Sequence, residues 1–167
     1  MRIGIFYGSS GGVTQDVATK IKKSLDLDAD LIDIADSTKE ILNQYDRLIL
    51  GTSTWGEGDL QDDWEDNLEI IEELDLSGKK VALFGVGDQD GYEDTFVDGM
   101  GILYEILKES GATIIGDNWS AEDYDFSESK AFKNNSFVGL VIDEDNQEEK
   151  TDLRIDKWVN SIKEDIQ

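Results

Sequence analysis

Hydrophobic residues in this chain arrive in short runs, and the polar stretches between them carry further apolar positions at helical spacing. The runs 2–7, 31–34, 47–52, 79–87 and 113–116 are rich in Ile, Val, Leu and Phe and are bounded by Gly, Ser and Asp. Such runs predict strands buried on both faces. Between them the chain predicts helices over 12–24, 62–74, 96–110 and 151–165. Their inward stripes are Val13, Val17, Ala18, Ile21 and Leu25; then Trp64, Leu68 and Ile71; then Phe96, Met100, Leu103 and Leu107; then Ile155, Trp158, Val159 and Ile162. Gly111 ends the third of these. A weak helix over 39–44 has Asp36 or Ser37 as its candidate cap. The segment 117–136 breaks the rhythm: it is polar yet carries Trp119, Tyr124, Phe126 and Phe132. The run 137–142 after it reads as the resumption of the fifth strand, so the segment is expected to be an excursion inside that strand.

Five alternating strand–helix units predict one α/β domain over 1–167, a doubly wound five-stranded parallel sheet with right-handed crossovers. Ligands in such sheets bind beyond the carboxyl ends of the strands. The loops that follow the first, third and fourth strands all lie at that edge.

Composition removes several chemistries. No Cys is present, which excludes disulfides, thiolate metal sites and Cys nucleophiles, and no His, which removes the commonest general base and metal ligand. No run of apolar residues reaches membrane-spanning length, and the amino-terminal residues enter a strand pattern without a signal-peptide stretch, so a cytoplasmic location is expected. The net charge of −24 argues against nucleic acid and anionic membrane surfaces and favours basic partner proteins.

Phe6-Tyr7-Gly8-Ser9-Ser10-Gly11-Gly12-Val13-Thr14 carries the first candidate chemistry. A strand, a Gly/Ser turn and a helix N-terminus together point backbone N–H groups at one spot, where the helix dipole favours an anion. The loop lacks the Lys of a Walker A and the spacing of a dinucleotide fingerprint, which leaves a mononucleotide or a lone phosphate held by neutral donors. A plain turn with a Ser or Thr helix cap is the alternative. Trp55, among small and polar residues in 52–60, and Tyr92, in 87–92, stand on the neighbouring loops. Two aromatics there suit the faces of a flat ring.

With these residues in place the chain resembles a flavodoxin of the long-chain type. The matching residues are the loop from Gly8 to Thr14, Thr54-Trp55-Gly56, Gly58-Asp59-Leu60-Gln61 with Trp64, Gly87-Asp88-Gln89 with Gly91-Tyr92, and 139–147 ahead of a helix containing Trp158. The resemblance implies strand order 2-1-3-4-5, flavodoxin being the type example of that order. It also implies non-covalent FMN in a monomeric carrier that is not an enzyme. Ser9, Ser10, Gly11, Gly12, Val13 and Thr14 would hold the phosphate. Thr54 and Asp145 would contact the ribityl chain, and Trp55 and Tyr92 would flank the ring. Gly56, Glu57, Gly58, Gly87, Asp88 and Gln89 would contact the ring through their backbone. The family usually has Thr where this chain has Gly11. The implied partners are NADPH-dependent reductases and the oxidoreductases otherwise served by ferredoxin.

Two expectations follow for redox chemistry. The Gly56–Glu57 peptide is expected to turn over on reduction and aim the Gly56 carbonyl at the ring; glycine tolerates the positive φ that such turns need. The acids Glu57, Asp59, Asp62, Asp63, Glu65, Asp66 and Glu69, with Asp88, Asp90, Glu93 and Asp94, are expected to disfavour a second added electron. Several carboxylates at ~10 Å together contribute about 40–130 mV toward lower potential. Rival readings are a receiver domain, which lacks its phosphoryl-accepting Asp at Gly51-Thr52-Ser53, a quinone or nitro reductase, and an acidic binding module without a cofactor.

Overall fold

A computed structural model describes all 167 residues. Strand β1 (Ile3–Tyr7) leads into α1 (Val13–Leu25), β2 (Ala29–Asp33) and, after a 3-10 turn at Ile34–Asp36, α2 (Lys39–Asn43). Next come β3 (Arg47–Trp55), β4 (Asp59–Leu60), α3 (Asp62–Asp66), α4 (Leu68–Glu73), β5 (Lys80–Val86) and α5 (Asp98–Lys108). The chain closes with β6 (Thr113–Ile115), β7 (Phe132–Lys133), β8 (Ser136–Phe137), β9 (Leu140–Ile142), a second 3-10 turn at Glu148–Lys150 and α6 (Thr151–Ile166). No helix is long and apolar enough to cross a membrane.

The sheet runs β2-β1-β3-β5-β6, all parallel. Counting only the main strands, this is the expected order 2-1-3-4-5. Its fifth position is filled by two short strands end to end: β6 pairs with Lys80, Val81 and Ala82, and β9 pairs with Phe84, Gly85 and Val86. The expected resumption at 137 is corrected, because Phe137 belongs to the β7–β8 hairpin and the sheet is rejoined only at Leu140.

Both faces of the sheet are covered. Along β5, Val81 and Leu83 face one apolar layer with Trp64, Ile71, Met100, Leu103 and Leu107. Ala82, Phe84 and Val86 face the other, with Val17, Ile21, Ile155, Trp158 and Ile162. Period-two alternation between two buried layers makes each strand an unbroken apolar run in the sequence.

Four boundaries differ from the expectations, each for a local reason. The expected helix over 62–74 is two helices, because Asn67 leaves helical geometry (φ −112°, ψ 10°) while its Nδ2 donates to the Asp63 carbonyl at 2.7 Å. The cap of α2 is Thr38, whose Oγ1 accepts from Ile41 N, rather than Asp36 or Ser37. Asp33 caps the preceding turn instead, accepting from Ala35 N at 2.9 Å. The helix expected from 96 begins at Asp98, since Val97 sits in the left-handed region (φ 47°). Finally, β3 continues to Trp55 and pairs antiparallel with β4, so the stretch expected as a loop starts as a hairpin.

The segment between β6 and β9 is packed. The Phe137 ring lies 5.2–6.0 Å from the rings of Phe96, Tyr124, Phe126 and Phe132. Asp98 Oδ1 accepts from Lys130 N at 2.7 Å, tying the segment to the start of α5.

Candidate functional site

The loop after β1 is shaped by its own side chains. Gly8 N donates to the Gly51 carbonyl at 3.1 Å and so prolongs the ladder to β3. Ser9 Oγ then accepts from Gly12 N at 2.9 Å, closing the turn. Gly12 takes φ 90°, a conformation that carries little penalty only for glycine. Helix α1 follows without any side-chain cap, so the amides of its first turn have no side-chain acceptor. The alternative of an ordinary capped turn is therefore set aside.

Helix α3 braces this loop from behind. Gln61, 1% exposed, caps α3 through Oε1, which accepts from Asp63 N and Trp64 N. Its Nε2 donates to Ser10 Oγ at 3.1 Å. Trp64 Nε1 donates to the Gly51 carbonyl at 2.8 Å, locking α3 to β3.

Two large aromatics stand open to solvent beside the loop, Trp55 at 48% and Tyr92 at 53% exposure. The indole is fixed, because Trp55 Nε1 donates to Ser53 Oγ at 2.7 Å. A cavity of about 260 Å³ lies among these loops. Ser9, Ser10, Gly11, Val13, Thr14, Thr54, Trp55, Gly87, Asp88, Tyr92 and Asp145 all line it. Thr54 Oγ1 accepts from Gly99 N at 2.8 Å, which leaves its hydroxyl proton free to donate.

The remaining expected residues lie off the wall. Gly56 and Gly58 form the β3–β4 turn with φ 54° and 93°, and Glu57 between them is exposed. Gly12 is absent from the lining, its N–H already given to Ser9 Oγ. Gln89 braces rather than lines: it is 5% exposed, its N and Nε2 both donate to Asp143 Oδ2, and its Oε1 accepts from Asp125 N. Its backbone N–H is already used by Asp143, so a backbone contact from Gln89 would fall to its carbonyl.

Ser53, Val86 and Glu144 line the cavity without having been expected. Ser53 and Val86 sit at the carboxyl ends of β3 and β5, where the strand register pairs them, and the sequence carries no signal for that pairing. Glu144 precedes Asp145 in a loop whose course depends on Asp143. That carboxylate is fully buried and accepts from Gln89, Asp145 and Asn146.

The electrostatics are one-sided. No Lys or Arg lines the cavity, whereas Asp88, Glu144 and Asp145 do. Of the acids expected to act on a bound ring, only Asp88 is on the wall. Three N–H groups, from Gly91, Asn146 and Asp90, converge on Asp88 Oδ1 and hold its carboxyl below the usual range. Asp145 is pushed up, first by loss of water and then by the negative charge of Asp88 and Asp143. These three carboxylates lie within 4.8 Å of one another, but the N–H donors around Asp143 occupy the lone pairs that a metal would need.

The site thus offers uncapped helix amides, hydroxyls, two exposed aromatic side chains and three carboxylates on one wall. That set suits a flat ring with an anionic tail. At about 260 Å³ the cavity is below the usual range for organic ligands, so such a ring keeps an edge in solvent.

Comparison with known proteins agrees. The family model described as flavodoxin matches residues 5–158. The flavodoxin of Synechococcus elongatus is 48% identical over 167 residues, covering 99% of this chain and 98% of the relative. Flavodoxin 1 of Escherichia coli is 47% identical over 165 residues, covering 98% and 93%. Among solved structures, Fusobacterium nucleatum flavodoxin bound to flavin mononucleotide superposes with a TM-score of 0.93 at 32% identity, covering 99% of each chain. With a parallel sheet in this order, a glycine-turned anion loop and nearly half its residues shared with curated relatives, the chain belongs to the flavodoxin family.

Proposed function

We infer that this chain binds FMN non-covalently and carries electrons one at a time between redox enzymes as a single-domain monomer, not as an enzyme with its own substrate. The observation that carries the reading is the helix N-terminus of α1, left without a side-chain cap inside the same cavity as Trp55 and Tyr92. FMN, when bound, supplies reversible one-electron chemistry. Everything else is done by the protein. Ser9, Ser10, Gly11, Val13 and Thr14 would hold the phosphate with neutral donors. Thr54, whose hydroxyl proton is free, would donate to the ribityl chain. Ser53 orients the Trp55 indole, and Tyr92 would cover the second face of the ring. The Gly56–Glu57 peptide would be the group able to present a carbonyl to the ring edge, a turn that the left-handed geometry at Gly56 would tolerate. Asp88, Glu144 and Asp145, on the cavity wall, would set negative charge beside the bound group and would disfavour further negative charge on it.

Partners are met through charge. A chain with 39 acidic and 15 basic residues attracts basic surfaces, and electron-transfer encounters are small and steered by such fields. The finer reading is a long-chain cytoplasmic flavodoxin that takes electrons from an NADPH-dependent reductase and serves oxidoreductases that otherwise use ferredoxin.

The visible spectrum of the purified protein during stepwise reduction tests this. The expected result is a yellow protein that loses its colour in two resolved one-electron steps and does not by itself oxidise NADPH. A protein that stays colourless with added FMN ends the reading. Rapid NADPH oxidation without a reductase moves the protein to the enzymes on this fold.

A further inference from the structure

Helix α6 and the segment between β6 and β7 enclose a second cavity, of about 460 Å³, which shares no lining residue with the first. Trp119 and Tyr124 supply its aromatic side. Lys150, Arg154 and Lys157 face them from the 3-10 turn and the first half of α6, and Glu122 and Asp123 stand at the exposed rim. None of the three cations makes an ion pair with a carboxylate.

Arg154 is the anomaly. It is only 6% exposed, and neither Nη1 nor Nη2 has a protein acceptor. Its guanidinium carbon lies 4.1 Å from the centroid of the Tyr124 ring, which covers one face. The Tyr124 hydroxyl is not free to help: it donates to the Val141 carbonyl at 2.6 Å and accepts from Trp119 Nε1 at 2.9 Å. An aromatic face offsets part of the cost of burying a cation but leaves its in-plane N–H groups unserved. Gln147 Oε1 and Thr151 Oγ1 nearby are also buried without a protein partner. A buried water can serve a neutral amide oxygen or hydroxyl, whereas it cannot neutralise a guanidinium. In a chain with 24 more acids than bases, the missing counter-charge at this position is a property of the site.

We propose that this cavity binds a small organic anion, with a carboxylate or similar oxyanion on Arg154 and a flat apolar body against Trp119 and Tyr124. Arg154 carries a planar fork of donors matched to an oxyanion; both Nη atoms are sealed from water in this structure, so binding turns the side chain toward the cavity. Lys150 and Lys157 add positive charge at the mouth; Lys157 Nζ lies 5.8 Å from the Trp119 ring centroid, so a body on that ring lies beside it. The proposal does not depend on what occupies the first cavity.

Benzoate is the probe, with benzyl alcohol as its neutral counterpart and inorganic phosphate as the bare oxyanion. The protein loaded with FMN is labelled with 15N at its tryptophans, and the Trp119 indole signal is followed by NMR. Benzoate should shift it saturably without moving the Trp55 signal, and benzyl alcohol should bind about tenfold more weakly or less. Arg154→Met should abolish the shift while the protein still folds and holds FMN. Lys157→Gln, an exposed change that leaves the fold alone, should weaken benzoate about threefold. The proposal is overturned by any of three results: no saturable shift, equal binding of the alcohol, or full binding by Arg154→Met. Phosphate binding more tightly than benzoate overturns it as well, because the aromatic wall then takes no part.

Discussion

Trp55 Nε1 donates to Ser53 Oγ at 2.7 Å, and both residues line the same cavity. The hydroxyl sits two residues back on β3, so the side chain that stacks and the side chain that aims it share one strand. An exposed indole with that bond loses less freedom when a ring arrives than one free to rotate. Ser53→Ala should therefore weaken FMN binding by about 1 kcal/mol, roughly fivefold. Quenching of FMN fluorescence on titration measures it. Thermal stability of the protein without FMN should barely move, since Ser53 caps no element; unchanged FMN affinity would refute the role.

Gly11 offers a gain rather than a loss. A Cβ placed there meets nothing within 4 Å, and its backbone is not left-handed, unlike that of Gly12 at φ 90°. Gly11→Thr adds a hydroxyl at the phosphate end and narrows the conformations open to the unfolded chain. FMN affinity should rise by about 0.5–1.5 kcal/mol, the net worth of one added hydrogen bond. Gly12→Ala at the next position should lose at least about 1 kcal/mol of stability through its backbone alone. Opposite signs at adjacent glycines, read by FMN titration and thermal melts, make the pair a sharp comparison.

At Gly56 two obstacles combine. Its φ is 54°, and a Cβ would stand 2.7 Å from Asp59 Oδ2. Gly56→Val should cost about 1–3 kcal/mol of local strain and hinder the turning of the Gly56–Glu57 peptide. The two midpoint potentials should move closer together in a spectroelectrochemical titration. An unaltered gap between them would show that this peptide does not couple to reduction.

Asp145 links the site to pH. Its carboxyl is raised by burial and by Asp88 and Asp143, so the native state holds that proton more tightly than the unfolded chain does. Stability from this group is therefore present at low pH and falls as pH rises from the ordinary Asp range through the raised value. Asp88, held low by N–H donors from Gly91 and Asn146, has the opposite sign: its contribution is present above the ordinary Asp range and is lost as pH falls through the lowered value. Asp145→Asn should flatten the first dependence in chemical denaturation of the protein without FMN.

The same substitution should raise the second midpoint potential at neutral pH. One carboxylate removed at ~10 Å is worth about 0.4 kcal/mol, or about 20 mV, before screening. Added salt should raise the potential of the parent protein in the same direction and shrink the difference between the two. A second potential indifferent to both changes would remove the wall acids from the account.

What the residues determined alone is the alternation of buried strands and striped helices, and the three loops at one sheet edge. Strand β5 was legible because both of its faces are buried, leaving no polar interruption from Val81 to Val86. Ser9, Ser10, Trp55 and Tyr92 were legible because hydroxyls, glycines and lone aromatics in loops have few structural uses. Only the tertiary structure decided the rest. It moved Gln89 off the wall, because its amide and backbone N–H both serve a buried carboxylate 54 residues away. It brought Ser53 and Val86 together through strand register, and it split one expected helix at Asn67 through a side-chain bond to Asp63. It also set Arg154 under Tyr124, although the stripe of α6 reads as a plain amphipathic face. Local pattern reports how much water each position avoids; which buried polar groups satisfy one another depends on contacts between distant segments, and those exist only once the chain has folded.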